Sequence, residues 1–168
     1  MGTIPTITTF TAGAVLTAPQ MNSIKAASDF WALTPRAYVY QSSVTSVANS
    51  AATWTLLPWQ AEVFDIVQSG DSPIHATTTD PSRVYIRTTG KYEINGQLQI
   101  VTNATGYRAI QVRLNAAGSS SGGSQISLTY VDASSTTVCS VPIPTVEVSL
   151  TAGDYIEAFA QQNSGTAL

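Results

Sequence analysis

The stretch KYEINGQLQI, residues 91–100, alternates polar and apolar side chains almost without interruption. Successive side chains of a β-strand point to opposite faces of a sheet, so this alternation predicts a strand with one face in a core and the other outside it. The inward face would hold Tyr92, Ile94, Leu98 and Ile100, and the outward face Lys91, Glu93, Asn95, Gln97 and Gln99.

Similar short runs, divided by turn residues, continue from residue 36 to residue 168. They predict eight strands, in RAYVYQSSV, TWTLLPW, RVYIRTT, KYEINGQLQIV, GYRAIQVRLN, SQISLTYV, TVCSVPIPTVEVSL and DYIEAFAQQ. Two stretches between them are predicted as loops: the long polar AEVFDIVQSGDSPIHATTTDPS and the short, flexible AAGSSSGGS. Eight short strands with regular breaks predict an all-β fold for residues 36–168, an antiparallel jelly-roll sandwich.

Residues 1–35 differ from this pattern and predict an N-terminal arm followed by a short helix. The arm, residues 1–16, is extended and rich in Thr and Gly. The helix spans residues 17–33, because Thr17 and Gln20 fit the S/T-x-x-E/Q capping box and Thr34-Pro35 ends the helical pattern. We therefore divide the chain into an attachment or trimerisation segment, residues 1–35, and a knob, residues 36–168.

Two sets of residues are candidates for contacts with other chains. Met21, Ile24, Ala27 or Ser28, and Trp31 recur at helical spacing, and a helix of about four turns needs a surface on which to dock this stripe; Met21, Ile24 and Trp31 are its candidate attachment residues. In the last strand Ile156, Ala158 and Ala160 share one face, which leaves Tyr155 and Phe159 on the other. Exposed aromatic residues in a row are typical of an interface, so Tyr155 and Phe159 are candidate oligomer contacts, together with Asn95 and Gln97 from the amide-rich strand.

The composition argues against several classes of function. The net charge is −3 and the 7 Lys and Arg residues are scattered, so no basic surface for nucleic acid is expected. No apolar run reaches the roughly 18 residues of a membrane span. The chain has one Cys and one His, His75, and no G-x-S-x-G motif, so we expect no hydrolytic triad, no thiolate zinc site and no cofactor.

Three further readings of polar and aromatic residues remain as alternatives. The carboxylates of the long loop, Glu62, Asp65, Asp71 and Asp80, are of the type that binds calcium, although their spacing matches no EF-hand. Trp54 and Trp59 flank TLLP and are read as core residues or as a platform for stacking sugars. A glycosidase needs two convergent carboxylates, and most of the ten acidic residues stand at turn or loop positions instead.

Several motifs in order resemble jelly-roll domains of bacteriophage virion proteins. They are WTLLPWQAEVFD, DPSRVYIRTTGKYEINGQLQI, GYRAIQVRLN and VEVSLTAGDYIEAFAQQNSG, spread over residues 54–165. These domains look like the globular head of the first complement component (subcomponent q) and like tumour necrosis factor. The start, FTAGAVLTAPQMN within residues 10–33, is similar to that of phage tail-fibre proteins. Unlike complement heads, the chain has no collagen-like Gly-X-Y repeat.

The resemblance implies a homotrimer in which aromatic residues of the last strands, here Tyr155 and Phe159, lie near a threefold axis. The leading expectation is a non-enzymatic structural protein of the virion, held to other virion proteins by residues 1–35. It would be a capsid decoration or minor capsid protein, or a short tail fibre or spike. The alternative is a carbohydrate- or receptor-binding module that contacts a host surface glycan during adsorption. A cell-wall enzyme is the least supported, because no adequate acid–base pair is present.

Overall fold

A computed structural model describes residues 4–168 and contains one helix followed by nine strands. The elements are α1 (Ala18–Ala32), β1 (Arg36–Tyr40), β2 (Ser50–Leu56), β3 (Ala61–Ile66), β4 (Val84–Tyr85), β5 (Gly90–Ile100), β6 (Tyr107–Leu114), β7 (Ser124–Asp132), β8 (Cys139–Leu150) and β9 (Tyr155–Gln162). The chain is therefore mostly β with one short helix near its N-terminus, as predicted. Residues 1–3 of the predicted arm lie outside the described residues.

The helix begins with the predicted capping box. The Thr17 hydroxyl accepts a hydrogen bond from the Gln20 amide, and the Gln20 side-chain oxygen accepts one from the Thr17 amide at 2.9 Å. These bonds satisfy amides that have no partner inside the helix. Lys25 and Asp29 form an ion pair one turn apart. Local chemistry is thus sufficient to place this helix.

All strand pairs are antiparallel and form three sheets. The largest has five strands, in the order β2-β9-β6-β7 with β4 also paired to β9; β5 pairs with β8, and β1 pairs with β3. The β5–β8 pair packs on the five-stranded sheet around one apolar core. The core side chains come from β5, β6, β8, β9 and the segments beside β2, and they are Val47, Leu57, Leu98, Ile100, Ile110, Val112, Cys139, Val141, Ile143, Ala158 and Ala160.

The alternation of the amide-rich strand is confirmed. Leu98 and Ile100 are buried and Ile94 packs against the core, whereas Lys91, Glu93, Asn95, Gln97 and Gln99 are exposed. The long loop was predicted without a strand, and this is wrong, because β3 lies within it and pairs with β1. Its apolar Val63 and Phe64 are adjacent and both exposed, so the segment lacks the alternation by which a half-buried strand is recognised. The strand depends on pairing with a segment about 25 residues away, which periodicity does not reveal.

The predicted flexible loop AAGSSSGGS is folded back onto the five-stranded sheet. The Gly118 amide donates to Glu157 Oε2 at 2.9 Å, and Gln111 Nε2 donates to the Ser120 carbonyl at 3.2 Å. Gly123 closes the loop at φ +56°, where a β-carbon would lie 1.8 Å from the Leu114 carbonyl oxygen. Only glycine fits this position, so the loop has a defined path.

Candidate interaction site

The outer face of the five-stranded sheet carries the aromatic residues predicted to stand outside. Ala158 and Ala160 of β9 point into the core, so Phe159 points away from it. Phe159 is nevertheless only 1% exposed, and the prediction that it is a surface residue available for an oligomer contact is wrong. Leu56 and Gln111 are the neighbours of Phe159 on the adjacent strands; Gly118 lies beside Leu56, and Gln111 donates to the Ser120 carbonyl. We infer from these contacts that the AAGSSSGGS loop covers Phe159.

Tyr155, the second predicted contact residue, is half-buried in a cluster of its own chain. Its ring lies 5.8 Å from that of Tyr85, and the Arg83 guanidinium stacks 4.5 Å above it. Its hydroxyl accepts a hydrogen bond from the Ala117 amide at 3.1 Å. Arg83 in turn donates to the buried Glu157 carboxylate at 3.1 Å. Tyr155 therefore fastens the covering loop, and only part of its ring remains available to another chain.

Farther along the same sheet face lies a set of three rings that we call the aromatic face: Trp54, Tyr107 and Tyr130. Their rings meet edge to face, with centroids 6.4 Å apart for Trp54 and Tyr130 and 5.2 Å for Tyr107 and Tyr130. The Tyr107 hydroxyl donates to Gln161 at 2.9 Å, and burial raises the pKa of that phenol. Tyr130 is 52% exposed. The aromatic face, and not the Phe159 position, is the aromatic surface that this sheet presents.

Sequence reasoning missed Tyr107 and Tyr130, although SQISLTYV alternates and places Leu128 and Tyr130 on one side. It also considered Trp54 and Trp59 as one sugar platform, and the structure separates them. Trp54 belongs to the aromatic face, whereas Trp59 packs against the core and its backbone amide donates to the Pro81 carbonyl at 2.7 Å. A stacking platform built from both tryptophans is therefore not present among residues 4–168.

The other two predicted contact residues, Asn95 and Gln97, lie on β5 in the opposite layer of the fold. Both are exposed; Asn95 donates to Glu93 at 3.2 Å and Gln97 accepts from Ser140 at 3.3 Å. These contacts are within one sheet face and leave the amides in reach of another molecule. Asn95 and Gln97 therefore lie on a different surface of the chain from Tyr155 and Phe159.

Exposed apolar side chains concentrate in the first part of the chain. Within residues 4–168, large hydrophobic residues are exposed at eighteen positions, and all but Val101, Leu128, Tyr130 and Val138 lie between Ile4 and Phe64. The predicted attachment residues are among them: Met21 is 51%, Ile24 37% and Trp31 72% exposed. The buried residues of the helix are Ala27, which belongs to the predicted stripe, and Phe30, which does not.

A groove of about 850 Å³ opens beside this segment, between β1 and β5. We call it the apolar groove. Phe30 and Trp31 of the helix lie at its side, Tyr38 and Phe64 come from the β1–β3 sheet, and core residues form its floor. Its floor includes Trp59, Ile94, Val112, Ile143, Ile156 and Ala158.

The single histidine lies within the long loop, and its Nδ1 is 4.0 Å from Glu62 Oε2. His75 is buried, its Nε2 lies 3.2 Å from the Pro81 carbonyl, and its amide donates to Asp65 at 3.0 Å. These bonds tie the long loop to β3. The calcium reading of Glu62, Asp65, Asp71 and Asp80 finds no support, since residues 4–168 contain no group of three or more His, Cys, Asp and Glu side chains placed to hold a metal ion.

The comparisons with known proteins show no family for this chain. No family model matches the sequence, and no curated protein matches it either. The one helix of the described residues is neither long enough nor apolar enough to cross a membrane. What the structure offers is a set of surfaces: the aromatic face, the exposed amides of β5 and the apolar groove with its exposed helix.

Proposed function

We propose that this chain is a non-enzymatic structural protein of a bacteriophage particle, in which residues 36–168 form a homotrimeric knob of jelly-roll type. The sequence motifs that resemble phage virion domains support the proposal, together with the antiparallel two-layer packing. Residues 1–35 attach the knob to other virion proteins.

One observation carries the proposal: the large apolar side chains exposed between Ile4 and Phe64. Large apolar patches on a protein surface mark contacts with other proteins, and fourteen of the eighteen exposed large hydrophobic positions fall in this segment. The low charge of the chain is in keeping with such contacts, because few ionic groups need to be desolvated when the surfaces meet. Closed threefold symmetry lets the same surface be buried in every copy without open-ended polymerisation.

Light scattering of the purified full-length chain at micromolar concentration tests the assembly. We expect a mass about three times the 17.7 kDa of one chain. A monomer under these conditions overturns the trimer. Quantitative mass spectrometry of purified particles tests the location: hundreds of copies per particle indicate a capsid decoration, a handful indicates a tail fibre or spike, and none overturns the virion role.

The second candidate is a module that binds a host glycan. The aromatic face supports it, because Tyr130 exposes about half of its surface beside Trp54 and aromatic rings of this kind stack on sugars. A glycan array probed with the wild-type chain and with the Trp54→Ala variant tests this reading. Binding that is lost in the variant supports it, and an array without any binding removes it.

A further inference from the structure

The apolar groove runs between two strand edges that are unpaired within the described chain. Among residues 4–168, β1 pairs with β3 alone and β5 with β8 alone. Four consecutive residues of β1, 36–39, and eight of β5, 90–97, line the groove. Because successive side chains of a strand point to opposite faces, a groove touched by every residue of a stretch must follow the edge of that strand.

Such an edge presents a row of free amide and carbonyl groups, which is a template for another strand. A strand added here would hydrogen-bond to β5 and join the two-stranded sheets into one, as in recognition by β-strand addition. The apolar floor, with Trp59, Ile94 and Ile143, would receive alternate apolar side chains of that strand. The groove therefore fits an extended, uncharged segment of about eight residues.

The N-terminal arm has this chemistry. Residues 4–10, IPTITTF, carry no charge and are rich in the β-branched and aromatic residues that favour strands. They have no regular secondary structure, and Ile4, Ile7 and Phe10 are exposed. Ile4 already reaches one end of the groove, where its side chain lies beside Gly90. The arm and the groove are thus complementary in chemistry and each is left largely uncovered.

The arm of the same chain does not fill the groove. Its Thr8 amide is bonded to Ser23 at 3.4 Å and its Thr9 carbonyl to Gln20 at 3.3 Å, both on the helix. Residues 4–7 alone span about 13 Å when extended, roughly half the length of residues 90–97. If the arm of the same chain filled the groove, Met21, Ile24 and Trp31 of the helix would also stay exposed.

We propose that residues 4–10 in the arm of a neighbouring copy exchange their bonds to Ser23 and Gln20 for strand pairing and occupy the apolar groove as an added strand on the β5 edge. The inference rests on the proposed homotrimer and specifies how its copies hold one another. Exchange around a closed threefold ring would fill the groove of every copy and bring each helix against a neighbour. The apolar groove and the exposed side chains of the helix would then be covered by the same contact.

Cross-linking between differently tagged chains tests the exchange. The native thiol is removed by Cys139→Ala, and Ile7→Cys is placed in one chain and Asn95→Cys, on the groove, in the other. The two are co-expressed and treated with a short bismaleimide. We expect a covalent heterodimer carrying both tags. The matched control replaces Asn95→Cys by Ser140→Cys, which is exposed on β8 outside the groove, and is expected to give at least tenfold less heterodimer.

A double variant, Ile7→Cys with Asn95→Cys in one chain, separates exchange from filling within the chain. Exchange gives covalent species up to the trimer, whereas a cross-linked monomer alone overturns the proposal. Light scattering on the same samples keeps the two hypotheses apart. A trimer without heterodimer product overturns the arm exchange and leaves the homotrimer standing, and a monomeric mass overturns both.

Discussion

The part of the chain from β4 to β9 and the part from Ile4 to β3 are built in different ways. In the later part even charged groups are enclosed: Arg108 is fully buried and donates to the carbonyls of Asn103, Thr105 and Tyr107. In the earlier part only Ala27, Phe30, Val47 and Leu57 are buried apolar residues. The later part thus encloses most of its large side chains, whereas the earlier part contributes Val47 and Leu57 to the shared core and leaves most of its large apolar side chains exposed.

The largest expected effect separates two aromatic residues, one from each part. Phe159→Ala removes a ring that is 1% exposed, and we expect it to lower the free energy of unfolding by about 4 kcal/mol. Trp31→Ala removes a larger ring that is 72% exposed, and the expected change is below about 0.5 kcal/mol. Urea unfolding of the dilute, monomeric chains measures both. Equal losses would contradict the division of the molecule into these two parts.

The same division explains what the sequence predicted well. The helix was predicted because its signals are local: the capping box at Thr17 and the proline at position 35 act within a few residues. The strands β5 to β9 were predicted because one face of each packs against the core, and this imposes alternation on the sequence. Strand β3 lacks such a face, and its pairing with β1 leaves no periodic trace.

The candidate site was harder to predict because burial by a loop that is distant in sequence produces no pattern in the sequence of the buried strand. The sequence placed Phe159 correctly on the face opposite Ala158, but the AAGSSSGGS loop, about 40 residues earlier, buries that position. The helical spacing of Met21, Ile24 and Trp31 predicts a surface that docks on a partner; all three side chains are exposed, and the partner stays a prediction. Which chain supplies that partner is not encoded in helical spacing.

The next effect in size compares two glycines at positive φ. Gly123→Ala in the covering loop would place a β-carbon 1.8 Å from a carbonyl oxygen, and we expect a loss of about 3 kcal/mol from strain and loop displacement. Gly13→Ala in the arm meets nothing within 4 Å, so the expected loss is at most about 1 kcal/mol. Thermal unfolding followed by tryptophan fluorescence measures both. A tolerated Gly123→Ala would show that the loop path is not required.

A smaller difference is expected between two carboxylates. Glu157→Gln removes the charge of a buried group that accepts from Arg83 and from the Gly118 amide, and should cost about 2 kcal/mol. Glu147→Gln breaks an exposed pair with Lys91, for which solvent already compensates, so little change is expected. The urea midpoints of unfolding of both variants, in low and in high salt, measure these two costs. High salt should further reduce the loss of unfolding free energy in Glu147→Gln and leave the loss in Glu157→Gln nearly unchanged.

The smallest effect concerns the helix cap, and it tests whether the N-terminal part has stability of its own. Thr17→Ala removes the hydroxyl that accepts from the Gln20 amide, at an expected cost of about 1 kcal/mol confined to the helix. Amide hydrogen exchange in residues 20–24 should then be about fivefold faster, while the amides of β6 exchange as before. Thr11→Ala in the arm is the control and should leave both rates unchanged. Faster exchange in β6 as well would mean that the helix and the sheets unfold as one unit, because a cap acts only on structure to which it is coupled.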